Sequence, residues 1–141
     1  MSKMFKVNVS TVVFNDNGQV LIQKRSKDED IFPGMWGIPG GTIEMKDVSV
    51  RNALKREVRE EVMIEIDDIE FFRENIVAKE IYGVVYLVFI SKYASGKAGF
   101  SQEVEEIRWV KKTEIDNYNF TPTTKEIIKE AYERKYSSNR I

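Results

Sequence analysis

The segment Ile81–Ser91, IYGVVYLVFIS, is the most apolar run in the chain. A run so rich in β-branched and aromatic residues reads as a strand buried inside a sheet. Residues 5–14 read as a strand, with Val7, Val9, Thr11 and Val13 at period two. Asn15-Asp16-Asn17-Gly18 is a turn signal, which makes Val20–Arg25 a second strand and a hairpin partner. Residues 26–36 form a loop, followed by Pro39-Gly40-Gly41, where backbone can come close to a ligand. Residues 49–62 predict a helix with Ala53, Leu54, Val58 and Val62 on one side, capped by Ser49 or Asp47. Glu65–Asn75 reads as a strand, Tyr93–Phe100 as a loop and Glu105–Val110 as a short strand. Thr123–Tyr136 reads as a last helix, with Ile127, Ile128 and Ala131 toward the core. This order predicts an α/β (α+β) fold, a mixed β-sheet covered by helices, in one domain over residues 1–141.

Composition narrows the chemistry. The formal net charge is -1, from 22 basic and 23 acidic residues. That balance gives no argument for nucleic acid or an anionic membrane as a partner, so phosphate binding must come from a local site. There is no cysteine and no histidine. Disulfides, thiolate nucleophiles, His-dependent triads and imidazole-rich zinc sites are therefore excluded. Carboxylate chemistry remains, and oxygen-only ligands favour hard cations such as Mg²⁺ or Mn²⁺. No stretch resembles a signal peptide or a membrane span, so a cytoplasmic location and no membrane partner are expected.

The helix at 49–62 carries Arg56-Glu57-Val58-Arg59-Glu60-Glu61. At about 100° per residue, the three glutamates share an arc of roughly 100°. Glu57 and Glu61 form a like-charge i,i+4 pair. Glu60 and Glu61 lie near the helix C-terminus, where the dipole disfavours anions. Helix stability alone would not choose this arrangement, whereas a divalent cation needs converging oxygens. Arg56 is placed to hold Glu60, four residues on. Taken by itself, KREVREE would read as an ordinary solvated helix face.

The lead-in changes that reading. Gly34-Met35-Trp36-Gly37-Ile38-Pro39-Gly40-Gly41, followed by Arg56, Glu57, Val58, Glu60, Glu61 and Ile64, resembles the Nudix box and its approach. Two departures stand out. Gly41 to Arg56 is one residue longer than the family pattern, so the first box glutamate falls on Asp47 counting forward and Val48 counting back. Met63 also stands where the family has a glycine suited to a left-handed helix end.

The resemblance implies a Nudix-type α/β/α sandwich that hydrolyses a pyrophosphate bond. The substrate would be a small nucleotide-type molecule, a nucleoside diphosphate linked to another group, such as a nucleoside triphosphate or an ADP-ribose-like compound. The alternative is a catalytically weak nucleotide-binding or sensor module. Mg²⁺ or Mn²⁺ would be held by Glu57, Glu60, Glu61 and the carbonyl of Gly40, with Arg56 supporting the catalytic set. The general base would be a box glutamate or an acid of a later loop, for which Glu103 is the candidate. Arg25 is a candidate for substrate phosphate, and Phe32, Tyr86 and Phe120 for stacking on a base. Trp36 and Trp109 are expected to be structural. The family is compatible with a homodimer.

Overall fold

A computed structural model describes residues 4–137. The strands are β1 (Met4–Phe14), β2 (Val20–Arg25), β3 (Trp36–Gly37), β4 (Gly40–Thr42), β5 (Glu65–Ala78), β6 (Tyr82–Ser95) and β7 (Val104–Val110). The helices are α1 (Val50–Val62) and α2 (Thr124–Ser137), with a short 3-10 helix at Lys112–Asn117.

All seven strands join one sheet, with the path β3-β2-β1-β6-β5; β4 also pairs with β1 and β7 with β2. The sheet is mixed. β1 and β6 run parallel, from Met4↔Tyr82 to Phe14↔Lys92, and the other pairings are antiparallel. The expected hairpin is reduced to its closing pair, Phe14↔Val20. β2 instead spends its length on β7, from Val20↔Val110 to Arg25↔Val104. The apolar run continues to Ser95 as part of β6, so the loop expected from Tyr93 begins at Gly96. β5 likewise runs three residues past Asn75, paired with β6 as far as Ala78↔Gly83.

Alternation along the strands sorts two cores onto two faces. Val9 and Val13 of β1, Leu21 of β2 and Phe89 of β6 pack with Ala53, Leu54, Val58 and Val62 of α1. Val12, Phe14, Val20, Ile22 and Ile90 point the other way, against Ile128, Ala131 and Tyr132 of α2. The sheet therefore lies between the two helices, as an α/β/α sandwich.

α1 is bounded by local chemistry. Ser49 is the N-cap, its hydroxyl accepting from the Asn52 N–H at 3.0 Å. At the other end Met63 adopts φ 62° and its N–H donates to the Arg59 carbonyl. The helix thus closes in the left-handed way that suits glycine, but with a methionine in place.

Candidate active site

β4 is what brings a loop to the helix. Gly40 and Gly41 pair with Ser10 and Val9 of β1, which lays the glycine backbone beside α1. A Cβ on Gly41 would collide with the Glu57 carboxylate, and one on Gly40 with the backbone of Val9 and Ser10. Both glycines are needed for close approach rather than for an unusual φ, since neither has a positive value. Across this contact the Gly40 N–H donates to Oε1 of Glu61 at 3.0 Å.

Arg56 organises the acids. Its Nε and Nη2 donate to Asp47 Oδ1 and Oδ2 at 2.8 and 2.9 Å, a two-pronged pair. Its Nη1 donates to Glu57 Oε1 at 3.0 Å and to Glu60 Oε2 at 3.1 Å. Asp47 is therefore the acid that meets the arginine, while Val48 is 86% exposed. The inserted residue is absorbed in the loop, where Asp47 also accepts from the Glu44 N–H at 2.8 Å. The Arg56 hydrogen bonds hold the Asp47 carboxyl down at about 2. Asp47 leaves the helix cap to Ser49.

The three helix glutamates differ in setting. Glu61 is pushed up to about 7, chiefly by burial; the hydrogen bonds from Gly40 and Gln23 oppose this, and the charges of Glu57 and Glu103 add to it. Burial also raises Glu57, against the pull of Arg56. The Glu60 side chain is 54% exposed. Among the described residues, no three acidic side chains stand close enough together to hold an ion as they are placed. Arg56 draws Glu57 and Glu60 to itself. The donor set nevertheless fits a hard cation. It offers only oxygen, on one helix face, beside a glycine pair that leaves room for nothing larger than hydrogen.

The remaining candidates are spread out. Glu103 lies just before β7, with its carbonyl accepting from Ser26 N–H at 3.1 Å; its charge is felt at Glu61. Arg25 is engaged within its loop: Nε donates to the Ile31 carbonyl at 2.9 Å, and Nη2 lies 3.6 Å from Glu29. Phe32 is exposed in that loop, with φ 49°. Tyr86 is half-buried in β6, between Asn8 of β1 and Asn75 of β5, in step with Val88 and Ile90. Phe120 is buried beside Trp36 and Tyr118. Its loop is tied to β3 by Trp36 N–H to Asn119 O and Thr121 N–H to Trp36 O, both 2.9 Å. That loop and α2 border a groove of about 590 Å³, lined by Tyr118, Asn119, Phe120 and Lys125 among others. Trp36 is buried and Trp109 half-buried, stacked edge-on with Tyr118 and Tyr93.

Sequence reasoning missed Gln23, whose Nε2 donates to Glu61 Oε1 at 3.1 Å. The signal was available: a lone amide two residues after Leu21, on the face of β2 that must be covered by α1.

The family model for the NUDIX domain matches residues 4–131. The chain belongs to the Nudix family of hydrolases. A nucleoside triphosphatase NudI from Enterobacter sp. (strain 638) is 30% identical over 125 residues, covering 80% of this chain and 87% of that protein. The NudI of Escherichia coli (strain K12) is 30% identical over 132 residues, covering 86% and 92%. In structure, this Nudix chain resembles the MutT protein from Methanosarcina mazei Go1, with a TM-score of 0.73 at 23% identity over 100% of this chain and 99% of that one. It also resembles the Nudix domain of Shewanella oneidensis NrtR, solved with ADP ribose, with a TM-score of 0.80 at 20% identity over 96% and 90%. At those identities the two structures speak for the fold. No helix among the described residues is long and apolar enough to cross a membrane.

Proposed function

We propose that this Nudix protein hydrolyses the pyrophosphate bond of a nucleoside diphosphate derivative, most directly a nucleoside triphosphate, using Mg²⁺ or Mn²⁺. The observation that carries the reading is the contact of Glu57 and Glu61 with the Gly40–Gly41 backbone, fixed by β4. The likeness to proteins named nucleoside triphosphatase supports the substrate class. We read residues 1–141 as one catalytic unit.

Glu57, Glu60, Glu61 and the Gly40 carbonyl would hold the ion. When bound, it would supply charge neutralisation at the pyrophosphate oxygens and a water of lowered pKa. The protein's own groups do the rest. Arg56 keeps Glu57 and Glu60 on one side of the helix and is itself anchored by Asp47. Glu103, exposed and close enough for its charge to reach Glu61, would accept the proton from the attacking water, with a box glutamate as the other candidate base. Arg25 would contact substrate phosphate after release from Glu29. Phe120, on the wall of the groove beside β3, would line the nucleoside, with Phe32 and Tyr86 as further stacking candidates.

The decisive assay combines the protein, Mg²⁺ or Mn²⁺, and a panel of nucleoside triphosphates and nucleoside diphosphate conjugates including ADP-ribose. Released phosphate or pyrophosphate is measured with and without chelator. Metal-dependent turnover is expected. The second reading, a nucleotide-binding module with little catalysis, draws on Asp47 at the irregular first acidic position of the box and on Met63. Saturable ligand binding without turnover on any member of the panel would favour it.

A further inference from the structure

Gln23 sits on the α1-facing side of β2, in register with Gly37 of β3 and Ile107 of β7. It is 7% exposed, and its neighbours Val20, Leu21 and Ile22 are fully buried. A buried amide is destabilising unless both ends are matched. Here only one end is. Nε2 donates to Glu61 Oε1 at 3.1 Å, while Gln23 Oε1 is buried with no partner. A methionine would fill the same space without an orphaned acceptor. The donor end is therefore what accounts for an amide at this position.

That donor does not act alone. The Gly40 N–H reaches the same Glu61 Oε1 at 3.0 Å. Donors from β2 and β4 thus converge on one carboxylate oxygen from two directions, and neither occupies Oε2. Two bonds to one oxygen settle the side-chain torsions of a glutamate and aim its second oxygen.

We propose that Gln23 is a positioning residue, which together with Gly40 locks Glu61 by Oε1 so that Oε2 is presented to the divalent cation. The inference rests on the reading of Glu61 as a ligand. Gln23 touches neither the ion nor the substrate and acts through Glu61 alone. Partners of this kind change metal affinity by about 10–100-fold when removed.

The test is a Mn²⁺ titration at pH 8.5, followed by the electron paramagnetic resonance signal of free Mn²⁺. It compares wild type, Gln23→Met and Gln23→Asn, each also melted without metal. Methionine removes the donor and the orphaned acceptor together. Asparagine keeps the amide but withdraws it by one methylene, out of reach of Glu61. Both variants are expected to raise the Kd for Mn²⁺ by about 10–100-fold. The metal-free melting temperature of Gln23→Met should stay within about 4 °C of wild type, whereas Gln23→Asn, which leaves both ends of a buried amide unmatched, should melt lower. A variant that melts like wild type and binds Mn²⁺ within about threefold of it overturns the positioning role. So does a large drop in melting temperature with affinity unchanged, which marks a purely structural residue. If wild type itself binds no Mn²⁺, the metal-site reading fails, a result distinct from either.

Discussion

Glu60 and Glu61 are adjacent on one helix yet stand in different solvents. Glu60 is half in water and bonded to Arg56, so its substitution should leave folding intact while removing a proposed ligand. Glu60→Gln is expected to lower kcat by on the order of 10³ or more with Mg²⁺ saturating. Near-wild-type turnover would remove Glu60 from the ligand set. Glu61 is governed by burial, which lifts it from 4.5 to about 7 in the folded chain. Between those values the folded state binds more protons than the unfolded one. The stability Glu61 contributes is therefore full below the lower value and lost as pH rises through the upper one. Metal-free protein should melt at lower temperature at pH 8 than at pH 5.5, and Glu61→Gln should flatten that slope. Ion binding has the opposite sense, because the proton must leave first: Mn²⁺ affinity should climb with pH up to about 7 and level off above it. These distinctions were only partly legible in the sequence. The spacing of Glu57, Glu60 and Glu61 showed a shared arc, but not which carboxylate is sealed from water. That depends on β2 and β4, which come from elsewhere in the chain.

At the scale of elements, long periodic segments were readable and short ones were not. α1 starts one residue from its expected position, because Ser49 and the apolar face of Ala53, Leu54, Val58 and Val62 all lie within one stretch of sequence. β3 and β4 span two and three residues, too few to show any period. Their strand character comes from partners on β2 and β1. β4 nevertheless holds the two glycines on which the site depends, and they should fail differently. Gly41→Ala meets the far end of the flexible Glu57 side chain, so the protein should fold and lose metal-dependent turnover. Gly40→Ala meets backbone, so the β4–β1 pairing itself should be forced apart and the melting temperature should drop sharply. Parallel melts and assays of the two variants check this; equal stability losses would show that β4 yields as a unit. At the head of α1, Ser49→Ala should cost about 1 kcal/mol by removing the cap, read by urea denaturation.

For the whole molecule, an ion at the site would act on stability as well as on chemistry. A ligand that binds only the folded state stabilises it by mass action, about 2.7 kcal/mol at 100 times its Kd. Mn²⁺ or Mg²⁺ should therefore raise the melting temperature in a dose-dependent way, and chelator should reverse the rise. No shift at millimolar Mn²⁺ would count against an ion at this helix. A mixed sheet covered by helices was foreseeable from the order of the elements, and the α/β/α sandwich from the family resemblance. The pairing pattern was not. Nothing local in Val20–Arg25 says that its long partner is β7 and not the strand just before it.

The parallel β1–β6 pairing joins residues 78 positions apart, Met4↔Tyr82 onward. A chain made from its N-terminus would have β1 complete long before β6 exists. Val12, Val13 and Phe14, all fully buried at the end, would wait uncovered until residues near Lys92 emerge. Such distant closure is slow, and the waiting strand is a target for chaperones and for mispairing. The contacts that shape the Gly40–Glu61 segment, by contrast, reach back only to β1 and β2, through Gly40 beside Ser10 and Gln23 on Glu61, so its parts are all made before β6 is.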